Sequence, residues 1–550
     1  MIHFYPNCTL PPTAGTFVAA PDVRGTLDIV WSCGSILILC CWSIFHPNIP
    51  PQFKPTSKGW QNAGRDLFLF FQKLRWVITI LVAPEIVMTK AMLDLISAKT
   101  LQVPLEQIAK VDAVDWSLSH TFFANMGGFH ICFPPDDKPK RNDPETSIMS
   151  SPDLEFSHPS RGTEESKTLL PGNAGGSISG DDRTSGRDTC PISTDETGSD
   201  KHKTKEPNLS GLNSIRKRYR RRVHGFTRLF GGMTWEPHSQ HTAMSEEISS
   251  QFNGMIRGAS VYNSSSIQHY NLLAIEGNVW VLNAPQLLMA RRYGIIERLP
   301  NITRREVDDK SKGDSLIKAL AVIQIIWLII QLILRFAYKK SASQLEIMTV
   351  AYAVCACITY CMLIHQPQSA NTPVEVPARM LKCTIPQLKY IVEVGPLHFL
   401  PFLDFQLPCI QYNSFPLVAD PLEGDIVKVN RKTQNYIYFG ISVGALVFGC
   451  VHLFAWNFPF PTDVEKLIWR IASFLTALLP TALNMIWLMA NRGERATDIT
   501  RPWYLTLALT GISIIVLCRI FILVEVFRSL YFLSPDAFSS TWASNVPHVG

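Results

Sequence analysis

Between Arg304 and Asp314 eight of eleven residues are charged, and between Lys318 and Arg335 sixteen consecutive residues carry no charge. Water solvates the first kind of stretch and lipid the second, so the chain changes medium within a few residues. This junction constrains the fold more than any other feature. Backbone in hydrocarbon must satisfy its own hydrogen bonds, which leaves helices for a chain with runs this long. The hydrophobic share, 47% of 550 residues, would also suit a soluble protein; the clustering decides.

Six runs read as spans: Ile29–Phe45, Ala319–Leu334, Met348–His365, Tyr436–Trp456, Ile471–Ala490 and Trp503–Val524. Trp456, Trp469, Trp487 and Trp503 lie near span ends, as in an interfacial aromatic belt, and Pro480 falls mid-span. Two further segments are ambiguous. Trp76–Leu95 has an apolar core that stops at Pro84-Glu85, with Lys90 and Asp94 close behind. It reads as a full span, a re-entrant piece or an interfacial one. Ser117–Pro135 lacks Asp, Glu, Lys and Arg but contains His120, His130 and a Gly-Gly pair.

Charge orients the spans. Lys54, Lys58, Arg65, Lys73 and Arg75 oppose only Asp66 after the first span, which places that loop in the cytosol and the N-terminus outside. The loop Asn491–Arg501 and the stretch 304–318 also read as cytosolic. Parity then allows six or eight crossings, and eight is the expectation. The fold class is all-α, a polytopic transmembrane helix bundle with a disordered cytosolic insert. Its parts are an N-terminal membrane segment at 1–135, the polar and basic insert at 136–223, a cytosolic or interfacial segment at 224–318, and a five-span bundle at 319–550. The insert is too poor in apolar residues to offset its chain entropy. Within 224–318, Gly277–Ala290 reads as an interfacial or core helix.

Several chemistries are excluded or weakened. The thirteen cysteines show no metal spacing, and Cys355, Cys357 and Cys361 suit buried thiols. The run Arg216–Arg222 fits anionic lipid better than nucleic acid. No Walker loop, Rossmann glycine fingerprint, serine elbow or zinc-protease motif is present.

The candidate residues are those that charge makes costly. Glu85, directly after Pro84, is a candidate catalytic acid, with a carboxylate in the interfacial layer as the plainer reading. Asp308, Asp309 and Asp314 are a candidate metal cluster beside Lys310, Lys312 and Lys318; a helix N-terminus explains the same residues without a metal. Arg519 and Glu525 are too far apart around a helix to pair and are expected to snorkel. Gln324, Trp327, Gln331 and Arg335 form one stripe that should face protein or a cavity. His120, His130 and His452 have no ligand spacing, and Asn7 heads a glycosylation sequon.

The stretches WSC at Trp31–Cys33, the turn His46–Pro50, LVAPE at Leu81–Glu85 and MGGF at Met126–Phe129 occur together with four others. These are DDKSKGD at Asp308–Asp314, LEIMTVAY at Leu345–Tyr352, VEVFRSL at Val524–Leu530 and Pro547-His548. The set resembles a group of multi-pass membrane proteins of filamentous fungi and departs from it at His365-Gln-Pro, where a Trp-Lys-Pro-like ending is expected. The resemblance implies a helical membrane fold and, because some members lie beside secondary-metabolite genes, a natural-product setting. It brings no activity, so the cofactor is unknown.

Three functional classes stay open. The first is a sensor, scaffold or accessory protein whose insert binds a protein partner. The second is a membrane-embedded enzyme on a hydrophobic metabolite, using Glu85 and the Asp308–Asp314 cluster. The third is a transporter of a small hydrophobic molecule. The expected partners are the lipid bilayer, a hydrophobic small molecule and a protein bound to the insert, with no nucleic acid. The expected location is an endomembrane or the plasma membrane.

Overall fold

The computed structural model describes residues 24–44, 46–133, 221, 224–235, 275, 277–311, 315–379, 384–398, 409–410, 414–418, 421, 426–490 and 502–539. Asn7, Asp314, the loop 491–501 and, apart from Arg221, the insert 136–223 lie outside the described residues.

Helix α1 (Thr26–Ser43) starts where the Asp28 carboxylate accepts the Gly25 N–H at 2.9 Å. Helix α2 (Gly59–Val82) is amphipathic and ends at Ala83, whose φ of −146° and ψ of 69° are not helical. Pro84 then opens α3 (Pro84–Asp112), in the first turn where a missing N–H leaves no bond unmade. The axes of α2 and α3 turn through 108° at this break. Helix α4 (Leu118–Asn125) stops at Gly127, whose φ of +80° suits glycine, and strand β1 (Phe129–Cys132) follows.

After the insert, β2 (Val279–Leu282) leads into α5 (Ala284–Arg292), capped by Asn283 Oδ1, which accepts the Gln286 N–H. Helix α6 (Arg304–Asp309) has Thr303 and Glu306 in the same capping arrangement. Then come α7 (Ser315–Ala337) and α8 (Gln344–Met362), the latter capped by Ser343 and Glu346. Strand β3 (Val374–Pro377), α9 (Ile385–Glu393) and the two-residue strands β4 (Leu397–His398) and β5 (Ser414–Phe415) precede α10 (Ile426–His452), α11 (Asp463–Ala490) and α12 (Pro502–Arg528).

Among the described residues six helices, α1, α7, α8, α10, α11 and α12, are long and apolar enough to cross a bilayer, and each overlaps one of the six expected runs. Ile323, Ile333, Phe439, Phe474, Ile512 and Leu517 point outward from them. Only lipid covers such a surface well, and the protein is a membrane protein. The expected belt is corrected in part. Trp469 and Trp487 are buried in the bundle, Trp469 donating to the His452 carbonyl and Trp487 packing on Tyr438.

Two cores result. One lies inside the bundle and includes Cys33, Trp76, Ile80, Val87, Tyr352 and Phe448. The other surrounds a three-stranded sheet of order β2-β1-β3, antiparallel on one side of β1 and parallel on the other. It packs Leu101, Leu105, Phe123, Trp280, Leu287 and Ile391. Helix α3, 29 residues and therefore about 43 Å long, enters both.

Ser117–Pro135 is thus no membrane helix over its described part: it folds as α4, a glycine turn and β1. Its two histidines bond or bury inside the sheet core, which lipid could not offer them. Gly277–Ala290 likewise divides into β2 and α5 at Asn283, with Pro285 in the first turn of the helix, buried in the same core. The two segments beyond the six spans therefore do not supply two straight crossings, and the small sheet qualifies the all-α expectation.

Candidate functional site

The break between α2 and α3 places Glu85 in the first turn of α3, and close packing holds it there. A Cβ on Gly444 of α10 would come within 2.6 Å of Glu85 Cβ and 2.9 Å of its Cα, so only glycine admits α3 this near. One helical turn before Gly444, a Cβ on Gly440 would meet Thr89 and Met92 at 2.8 Å. The third wall is α8, whose Tyr352 hydroxyl donates to the Leu81 carbonyl.

Arg519 of α12 closes the site. Its Nη1 donates to Glu85 Oε2 at 2.8 Å and to the Val82 carbonyl at 2.5 Å, and its guanidinium stands over the Phe448 ring. The side chains are 5% and 8% exposed, so the ion pair is desolvated on both sides. The bond to Val82 matters because the helix break strips that carbonyl of an intrahelical partner. One cation thus satisfies a carboxylate and the open end of α2. Sequence reasoning put Arg519 at the membrane surface; the structure corrects this, because a buried partner removes the reason to snorkel. No spacing rule links residues 434 apart, and the signal available was that both charges lie in apolar runs.

The guanidinium is not fully used. Its Nε and Nη2 are buried without a hydrogen-bond partner among the described residues, as are His452 Nε2, Ser473 Oγ and Thr476 Oγ1. His452 lies tilted against Phe448, and its Nδ1 donates to the Phe448 carbonyl at 2.8 Å. The Nε/Nη2 edge is the face that accepts a bidentate oxygen ligand or a pair of waters.

A second buried pair lies on the same helix. Lys90 Nζ donates to both Asp94 oxygens, at 3.1 and 2.8 Å, and the two line a cleft with His46, Trp76, Leu363 and Phe415. The cleft has room for water-sized occupants.

The other expected residues lie elsewhere. Asp308 and Asp309 are exposed at the end of α6, Asp308 lying 3.7 Å from Arg304, and Asp314 is outside the described residues. No group of three His, Cys, Asp or Glu side chains able to hold a metal occurs among the described residues. Gln324 and Arg335 do face protein. Arg335 donates to the carbonyls of Ser341, Asp536, Ala537 and Ser539 and so ties the C-terminal turns to α7. Glu525 is buried 3.4 Å from Arg528. His120 bridges Ser117 and the Ile302 carbonyl at 2.8 Å, and His130 is buried in β1.

Where α3 leaves the bundle its last residue carries a third ion pair. Asp112 accepts from Arg291 Nε and Nη2 at 2.9 and 2.5 Å and from the Leu299 N–H at 2.8 Å. The Arg291 guanidinium holds the Asp112 carboxyl below its usual range, and burial pushes the His130 imidazole down to about 4.

The chain is similar, over residues 2–151 and 288–384, to a family described as a family of unknown function (DUF8562). The matched stretches are less than half of the 550 residues; they include Glu85, α2, α3 and Asp308–Asp314 but not Arg519. No curated protein and no solved structure matches the chain.

Proposed function

We propose that this membrane protein is a transducer, the sensor-type reading among the three classes, in which α3 couples the state of the intramembrane ion pair to the sheet subdomain. One observation carries this. The same continuous helix begins at Glu85, against Arg519, and ends at Asp112, against Arg291, with Leu101 and Leu105 inside the sheet core between them. A helix anchored at both ends by a buried carboxylate transmits a displacement along its length, and at its one internal proline, Pro104, the flanking Leu101 and Leu105 are held in the sheet core.

In this reading α2 and α3 form a re-entrant pair and the chain crosses six times. Support comes from the chain around the pair. The Ile49 N–H, after α1, donates to the Met126 carbonyl, after α3 and α4, at 3.0 Å. Gln368, after α8, donates to the Ser43 carbonyl at 2.9 Å, and Gln52 donates to the Asn371 carbonyl at 2.9 Å. The pair therefore enters and leaves at the end of the bundle where α1 and α8 finish, and by charge that end is cytosolic. Non-helical backbone at membrane depth is tolerated only where protein satisfies it, and Arg519 does so at Val82.

The enzyme reading loses ground because Glu85 Oε2 is committed to Arg519. Transport is the second reading, of a small polar solute in place of the hydrophobic molecule expected from sequence, favoured by the unpartnered edge of Arg519.

Hydrogen exchange of the protein in lipid nanodiscs tests the proposal. Arg519→Gln should speed exchange around residues 79–90 and also, some 30 Å or more away by helix length, in β1, β2 and α5. A change confined to the bundle would leave the ion pair as a local lock and sink the coupling. Solute or proton flux through reconstituted wild-type protein, abolished by Arg519→Gln, would favour transport instead.

A further inference from the structure

Helix α2 has a surface the transducer does not use. Trp60, Leu67, Phe71 and Ile78 are each more than half exposed, and at 100° per residue they fall within about 40° of one another around the helix. On the other side stand Lys58 and Arg65, with Lys54 just ahead; from Lys54 to Val82 the sole acidic residue is Asp66. Aromatic faces hold Arg65 and, further along the helix, Lys73 in place: Arg65 stands 5.2 Å from the Phe53 ring centroid and Lys73 4.0 Å from that of Trp42.

The chain returning from the insert joins this surface. The short helix 224–230 lays Phe226 and Phe230 on Phe68, with centroids 4.8 and 6.0 Å apart, and a Cβ on Gly64 would press on Phe230 at 2.9 Å. That contact brings the exposed Arg228 and Leu229 beside the start of α2, with the exposed Arg221 just before them in the chain. A continuous apolar stripe with cations gathered towards its start has the form of a helix that enters the bilayer from headgroup level, its apolar side against acyl chains and its first charges among headgroups.

We propose that α2 and the 224–230 helix form a docking surface for anionic lipid headgroups of the leaflet on the α2 side. Charge selects the occupant: several cations against one carboxylate attract a negative leaflet, and each adds up to about fivefold to the preference at low salt. This surface would bind anionic lipid whether or not α3 transmits anything.

The test uses the full-length protein reconstituted in vesicles of phosphatidylcholine and phosphatidylserine, with the lipids that co-purify after mild detergent extraction measured by native mass spectrometry. Phosphatidylserine should be enriched over its share in the vesicle. The enrichment should fall as salt rises and be lost in the combined variant Lys54→Gln, Lys58→Gln, Arg65→Gln, Arg228→Gln. Inorganic phosphate added during extraction should compete poorly, because it cannot use the apolar stripe. Absence of enrichment in the wild type, or enrichment indifferent to salt, overturns the proposal even if the variant does not fold. Full competition by phosphate would replace the lipid surface with a simple anion site.

Discussion

At the scale of single residues, the structure turns on the desolvation of Glu85 and Arg519. Two charges this buried are tolerable because each satisfies the other, and removing one strands its partner. Arg519→Leu should therefore destabilise the protein by about 3–5 kcal/mol. Glu85→Gln, which keeps an oxygen acceptor for Nη1, should cost less, and the pair Glu85→Gln, Arg519→Met should recover much of the loss. Unfolding in mixed micelles, followed by thiol labelling of buried cysteines such as Cys355, measures all three. An Arg519→Leu protein as stable as wild type would remove the ion pair from the account. Glycine 444 makes an independent prediction: Gly444→Ala drives a methyl into the backbone of α3 and should cost about 1–3 kcal/mol. Gly34→Ala, with nothing within 4 Å of the new atom, is the control and should be close to neutral. Glu85 was recognisable from sequence as a charge in an apolar run. Its partner was not, since a contact between α3 and α12 leaves no local pattern.

Among the elements, α3 matters most, and the subdomain at its far end responds to acid. In the sheet core, His130 has a folded-state pKa near 4 against an ordinary value of 6.5. The folded state thus binds fewer protons than the unfolded one between these values, and stability falls as pH drops through that window. Asp112, also held below its ordinary value, adds a loss at still lower pH, as the carboxylate that pairs with Arg291 protonates. Acidification from pH 7 should loosen the sheet subdomain. Exchange in β1, β2 and α5 should rise below about pH 6.5, and His130→Gln should flatten the upper part of that dependence. An unaltered pH profile in His130→Gln would mean that the histidine does not report the core. Sequence periodicity identified the long helices well because each spans many turns. It failed at β1 and β2, whose four residues are too few to show alternation and whose apolar content mimics a short membrane segment.

For the whole molecule, the decisive prediction is topological. With other cysteines replaced, cysteines introduced at Ser57, before α2, and at Val111, near the end of α3, should react with an impermeant thiol reagent from the same side of the membrane. One at Lys340, between α7 and α8, should react from the opposite side. Labelling of Ser57→Cys and Val111→Cys from opposite sides would make α2 and α3 one broken span and give seven crossings. The sequence alone determined that this is a membrane protein, where its six long helices run and which loops carry the positive charge. These follow from local quantities: run length, charge count and the need for lipid-exposed backbone to bond within its own helix. Tertiary structure decided the rest. It folded Ser117–Phe133 into a short helix and a strand of the sheet, bent α2 against α3, and joined Glu85 to Arg519. Those outcomes depend on which distant groups can satisfy a charge, a freed carbonyl or a short strand, and such partners are chosen by packing rather than by proximity in the chain.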